Sequence, residues 1–453
     1  MLLSRLSLLV FLGAGASTVH AAGYALIEQS ITGLGRAFSG SAAVADDAST
    51  IFFNPAGLTQ LDSAELNLGM NFIAPYAKFD NNGSSLPATL GGGPLNGVDS
   101  GDAGENALVP NFYYAHPLND KLVLGISIGA PFGLVTDYGD NWVGRYHARK
   151  SDLKIININP SIGWKASEKL SLGAGINLQY ADIELSQAVD FGAACAQVAT
   201  ADPAIPVLSA IAGGCAQPQN FDGQAKVTAD DWSWGYNLGL TYQFTDATRV
   251  GLSYRSKITH DLEGEGKFRV PNDPNVEAVA SNTGFQNGDA KGQVTLPESV
   301  SLALHHQINK QWAVMADASW TRWSQFEELR IESDVQRLNS EITQDWENAM
   351  RYGLGLEYQH NEKWAWRTGV AYDETPVPNA QRRTPRIPDT DRKWIAFGAS
   401  YAYSENLIID AAYAHLFMSD SKIDNRNEQG YRLVGEYRTH VDIVGVQMRW
   451  VFN

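Results

Sequence analysis

Apolar and polar residues alternate one for one through much of this chain, and a period of two confines those stretches to β-strands. In the last of them Val444, Val446, Met448, Trp450 and Phe452 share one face, with Gly445, Gln447 and Arg449 between them. Val250–Arg255, Arg351–Tyr358 and Trp364–Arg367 repeat the pattern. Successive strand side chains point to opposite faces, so each such strand has one greasy and one polar side. A water-soluble sandwich alternates in the same way. Three features favour a membrane instead. The polar face is rich in Gly, Ser, Gln and Arg, the lining expected of a wet lumen. Trp142, Trp232, Trp320, Trp323, Trp394 and Trp450 fall near strand ends, as interfacial aromatics do. Short turns (Asn119-Asp120, Glu362-Lys363, Ser404-Glu405-Asn406) alternate with long polar loops. A sheet in hydrocarbon must close on itself, because an open edge would leave backbone groups unpaired.

The expected fold is therefore all-β, an antiparallel transmembrane β-barrel. Turn signals delimit about 14 strands, starting near Ala64, Ala107, Lys121, Leu153, Leu170, Val227, Thr248, Gly292, Gln311, Trp346, Trp364, Arg392, Leu407 and Glu436. An even count puts both barrel ends on the periplasmic side. No apolar run reaches the length of a membrane helix. At the N-terminus Arg5, the apolar stretch Leu8–Gly13 and the small-residue site Val19-His20-Ala21 read as a signal peptide over residues 1–21. Residues 22–63 alternate poorly and are expected to plug the lumen as a hatch or to hang in the periplasm. Residues 64–453 supply the barrel and its long extracellular loops. The location this implies is the bacterial outer membrane.

The net charge of −16 leaves no basic stripe for nucleic acid. Cys195 and Cys215 are the two cysteines of the chain, both in one loop of an exported protein, and a disulfide between them is expected. That loop, Ala193–Ala216, is apolar enough either to receive a greasy ligand or to pack on itself over the barrel mouth. Neither a metal nor a cofactor is expected: no histidine lies near the cysteines, and His305 and His306 point to opposite faces of one strand. Gly125-Ile126-Ser127-Ile128-Gly129 matches the G-x-S-x-G pattern of hydrolases, but strand alternation runs straight through it where a strand-to-helix elbow is required, so no enzyme is expected.

The leading segment reads Gly33-Leu34-Gly35-Arg36-Ala37-Phe38-Ser39-Gly40, Ala45-Asp46-Asp47-Ala48 and Asn54-Pro55-Ala56; later come Gly125–Leu134, Asp373–Pro378 and Arg386–Arg392. In this order, over nearly the whole mature chain, these resemble the FadL-type outer-membrane transporters of long-chain fatty acids and aromatic hydrocarbons. The resemblance implies a hatch inside the barrel, a kink in the third strand that opens the wall sideways, and hatch-gated lateral diffusion of hydrophobic compounds. Long-chain fatty acids are the expected substrate, and aromatic hydrocarbons the alternative. A general porin has no use for a plug, and an esterase would need the serine set aside above. The expected partners are the hydrophobic substrate and the surrounding lipid and lipopolysaccharide, with the protein a monomer.

Four groups of residues are candidates for function. Asn54, Pro55 and Ala56 form a rigid elbow suited to a hatch gate, or simply start a helix. Tyr24 matches the aromatic that the resemblance places toward an inner pocket. Arg255, Arg351 and Arg367 face inward by parity, where a guanidinium suits a substrate carboxylate or pairs with Glu28, Asp46 or Asp47. Pro131, Phe132 and Gly133 mark the lateral opening, because Pro131 cannot donate to the ladder and Gly133 has no side chain. Pro131 could instead mark the exposed end of its strand.

Overall fold

The strands expose their apolar side and bury their polar side, the reverse of a soluble protein. Val444, Val446 and Met448 are 49%, 54% and 47% exposed, whereas Gln447 and Arg449 on the alternate face are buried. Such a surface is stable only in hydrocarbon. The computed structural model describes residues 23–200 and 206–452, so the expected signal peptide lies outside the described residues.

Fourteen antiparallel strands make one closed barrel. They are β1 (Ala64–Asn81), β2 (Ala107–Asn119), β3 (Leu122–Gly129, resuming as Gly133–Asp137), β4 (Lys150–Lys165), β5 (Leu170–Asp190), β6 (Asp222–Thr245) and β7 (Thr248–Arg255 and Ile258–Arg269). Then follow β8 (Gly288–Leu296 and Ser299–Gln307), β9 (Trp312–Thr321 and Glu328–Glu332), β10 (Ser340–Thr343 and Ala349–Gln359), β11 (Trp364–Asp373), β12 (Arg392–Ala402), β13 (Leu407–Met418 and Ser421–Arg426) and β14 (Arg432–Phe452). β1 pairs with β14 from Ala64↔Phe452 to Asn81↔Gly435, which removes the last edge. The strand count and most starts agree with the sequence reading. β6, β8, β10 and β14 begin four to six residues early, at Asp222, Gly288, Ser340 and Arg432, because polar residues extend these hairpins beyond the membrane. β5 and β6 have 21 and 24 residues, about twice the 9–11 needed to cross.

Asparagines build several of the short turns. Asn119, Asn309 and Asn361 each accept backbone N–H bonds from the residues two and three positions on. At the other end, the helices Phe191–Thr200 and Pro206–Gly213 pack with the helix Pro274–Asn282 around Phe191, Cys195, Cys215, Val276 and Val279. Cys195 and Cys215 are bonded to each other. Much of that loop's apolar surface is thus spent on its own small core.

The tryptophan reading needs correction. Trp142, Trp323 and Trp394 are buried within the barrel and its loops, whereas Trp232 lies exposed on the outer wall. The inward parity of Trp394, opposite Ala371 and Leu416, carries it into the core, and no girdle position is left for it. The lumen is not wet throughout either. Residues 23–61 fill it with short helices at Ile31–Leu34, Ser41–Val44 and Thr50–Phe53, followed by a 3₁₀ turn at Pro55–Gln60. Leu26, Ile31, Leu34 and Phe38 pack against inward Ile73, Val109, Leu416 and Ile443. The inward glycines are seats for this segment. A Cβ at Gly369 would strike the backbone of Arg36, one at Gly251 the Ala42 carbonyl, and one at Gly173 the Pro55–Ala56 peptide.

Candidate functional site

Asn54 starts a helical turn, one of the two readings of the sequence, and its side chain is also bonded beyond that turn. Its Oδ1 accepts from the N–H of Ala56 at 3.1 Å, capping a turn whose first residue is Pro55. Its amide donates to the carbonyls of Ala42 at 2.6 Å and of Leu240 in β6 at 3.1 Å. A fully buried side chain therefore holds the elbow both to the N-terminal segment and to the wall. Nearby, burial alone would raise the Asp46 carboxyl, but Arg36 at 2.8 Å, with Arg367 and Arg449 beyond it, holds it below the usual carboxylate range.

The ladder breaks in β3. Pairing with β2 ends at Phe112↔Ile128, so the upper part of β2, Ala107–Asn111, is paired only with β1. On its other side β3 pairs with β4 up to Gly129↔Asn157 and resumes at Gly133↔Lys154. Pro131 and Phe132 lie in the interruption. A Gly104↔Thr136 bridge closes the top of this window. The N-terminal segment occupies its inner side like a short added strand: Leu26 N–H donates to the Pro131 carbonyl at 2.8 Å, and Gly133 N–H to the Tyr24 carbonyl at 2.9 Å. Gln29 donates to the Ala130 carbonyl at 2.8 Å. Asn71 and Asn111 hold the Glu28 carbonyl. The Glu28 carboxyl is buried, one of its oxygens has no hydrogen-bond partner, and burial pushes its pKa up to about 7 against the pull of Arg392.

Behind the window lies a cavity of about 160 Å³. Leu26, Ile27, Phe52, Phe53, Phe132 and Trp323 give it apolar walls, while Ser253, Ser299, Ser301 and Ser319 line the inner face of the barrel. Arg255 and Arg351 border it, and so do Pro55 and Pro131. The fold thus brings together members of three of the four candidate groups: the elbow, the inward arginines and the break in β3. Tyr24 stands just outside, in an aromatic cluster with Trp323, Phe326 and Trp346 at 4.8, 5.6 and 5.9 Å between ring centroids.

The three arginines differ. Arg255 donates to neutral acceptors, Asn177 Oδ1 at 2.6 Å and the Phe52 carbonyl at 2.8 Å, and lies over the Phe52 ring. Arg351 pairs with Asp317 at 3.3 Å and donates to the Ala37 carbonyl. Arg367 is not brought to the cavity: it pairs with Glu357, directly opposite in β10, at 2.7 Å, and with Ser400 at 2.5 Å. Sequence reasoning missed Phe52, Phe53 and the serine stripe. The stripe has a signal, small hydroxyl residues recurring at inward positions of adjacent strands, but only the register (Ser253↔Ser301↔Ser319) aligns them.

A closed barrel, apolar outside and filled within by its own N-terminal segment, defines an outer-membrane transport protein. The chain belongs to the outer membrane transport protein family OMPP1/FadL/TodX, whose family model matches residues 12–452. It is 33% identical to the long-chain fatty acid transport protein of Escherichia coli O6:H1, covering 91% of each chain. It is 29% identical to outer membrane protein P1 of Haemophilus influenzae, covering 99% of each. Among solved structures it resembles a Pseudomonas aeruginosa FadL homologue with a TM-score of 0.85 at 27% identity, covering 95% of this chain and 100% of that one. The Pseudomonas putida toluene transporter TodX shares the fold, with a TM-score of 0.66 at 20% identity over 90% of this chain and 94% of that one.

Proposed function

We propose that this protein carries long-chain fatty acids across the outer membrane, with residues 22–63 as the hatch and the β2–β3 window as a lateral exit. The observation that carries this reading is the apolar cavity lying directly against the window and bordered by Arg255, a half-buried cation held by neutral acceptors. A guanidinium partly withdrawn from water and held only by neutral acceptors suits an incoming carboxylate. The name of the Escherichia coli relative supports the same substrate class. Sideways delivery follows from energetics, since each CH₂ kept out of water is worth about 0.8 kcal/mol.

A second reading has its own observation. A cavity of about 160 Å³ is close to the roughly 150 Å³ that holds one benzene ring. A toluene-sized hydrocarbon fits with the hatch at rest, whereas a long acyl chain requires Tyr24–Ile27 to withdraw. Uptake of labelled oleate by cells whose own carrier is deleted, with and without excess toluene, tests the choice. Oleate uptake that toluene barely affects, and that Arg255→Gln reduces, supports the fatty-acid reading. Toluene uptake without oleate uptake overturns it.

A further inference from the structure

A second cavity, of about 240 Å³, lies on the long-loop side of the barrel, outside the site described above. Its deep lining includes Arg386 and Thr384 from the β11–β12 loop and His147 from the β3–β4 loop, each at least nine-tenths buried. Every partner of Arg386 is neutral: Ser151 Oγ at 3.1 Å, the His147 carbonyl at 3.2 Å and Gln187 Oε1 at 3.2 Å, with the Lys150 carbonyl at 3.5 Å. Its Nε and the Thr384 hydroxyl have no hydrogen-bond partner. The His147 ring faces the backbone of Asn425 and Tyr431 without a well-formed hydrogen bond, and burial lowers its pKa to about 4, so the imidazole is neutral at pH 7. Glu341 and Glu428 line the cavity only from exposed positions, as does Arg426; Arg382, also lining it, is paired with Asp345.

A buried, unneutralised guanidinium beside an unused hydroxyl is costly unless something binds there. We propose that this cavity is a carboxylate-binding site at the barrel mouth, where Arg386 and Thr384 receive the head group of an incoming amphiphile before it reaches the inner cavity. Two placements support this. The next residue, Ile387, belongs to the apolar cluster of Tyr24, Trp323, Trp346 and Val377, so one segment borders both the polar site and the greasy chamber. The lining also comes from β5 and from the loop entering β12, which stand on opposite sides of the ring. The site therefore lies over the lumen and not on the outer rim, where lipopolysaccharide phosphates gather.

The proposal rests on the reading of this chain as a carrier of amphiphiles, and its test separates the two. Sodium octanoate and 1-octanol are titrated into the full-length protein in non-ionic detergent by calorimetry. Arg386→Gln is expected to weaken one octanoate site by about tenfold or more and to leave 1-octanol unchanged. Thr384→Val, nearly isosteric and no threat to folding, is expected to weaken octanoate severalfold. Arg255→Gln should leave this outer site intact, so a loss there instead assigns the carboxylate to the inner cavity and overturns the proposal. Wild-type octanoate affinity in both Arg386→Gln and Thr384→Val, or an equal loss of 1-octanol, also overturns it. Displacement of octanoate by inorganic phosphate at lower concentration than acetate would reassign the site to phosphate.

Discussion

Asn54 is the position where the hatch reading is most exposed to test. Its side chain accepts one hydrogen bond within the elbow, and its amide donates to the segment's own Ala42 carbonyl and to the wall at Leu240 and, at 3.4 Å, Leu252. Asn54→Ala removes them all, at about 1 kcal/mol net for each well-formed bond. If the wall-bound position is the closed state, only the bonds to the wall are lost on displacement, so the change shifts the balance by about 1–2 kcal/mol, or about 5- to 30-fold. Asn54→Asp is the sharper probe. It keeps the acceptor for Ala56 but turns an acceptor toward the carbonyl oxygens of Ala42, Leu240 and Leu252 at a fully buried site, so it should open the segment further than alanine does. The strands contribute none of these side chains, so the barrel should still fold and shift on gels with heating. Purified variants in planar bilayers are expected to show frequent conductance steps, ranked Asp above Ala above wild type. Quiet baselines from both folded variants would refute the argument that this side chain holds the lumen shut.

Two further outcomes follow from the same geometry. Pro131→Thr with Gly133→Val restores a ladder donor and a side chain in the break of β3, and it should suppress oleate uptake while surface binding persists; uptake at the wild-type rate places the exit elsewhere. Glu28 provides a pH dependence. Its folded pKa, near 7 through burial, lies above the ordinary glutamate value, so the seated segment is favoured below the ordinary value and loses that advantage as pH rises toward 7. Conductance should therefore increase from pH 5 to pH 8 in the wild type and not in Glu28→Gln; parallel profiles would remove Glu28 from the account.

The barrel was legible because membrane strands carry their pattern locally: alternation, Asn-capped turns and the inequality of the two ends reveal strand number and topology without any tertiary knowledge. Features that depend on register were not. Arg367 and Glu357 are ten residues apart in sequence, and their pairing follows from facing each other across β10 and β11. Trp394 reads as a girdle residue until the pairing with Leu416 turns it inward. The inward glycines look like the lining of an open pore, and only the path of residues 23–61 shows them to be seats for backbone. Arg386, Thr384 and His147 come from loops about 240 residues apart, beyond the reach of any local pattern.

The central claim is that Tyr24–Leu26 must leave the break in β3 for substrate to pass. Ala25 and Phe132 face each other there as an antiparallel pair, flanked by the bonds Leu26 to Pro131 and Tyr24 to Gly133. That is the close, non-hydrogen-bonded kind of pair, about 4.5 Å between Cα atoms, within the range a disulfide spans. The measurement is oleate uptake by cells expressing Ala25→Cys with Phe132→Cys, before and after reduction, against each single variant and the wild type under the same reductant. The account predicts that uptake is blocked in the oxidised double variant and restored by reduction, with the controls unchanged. Equal uptake by the oxidised and reduced double variant, with the cross-link shown to be complete, would contradict it.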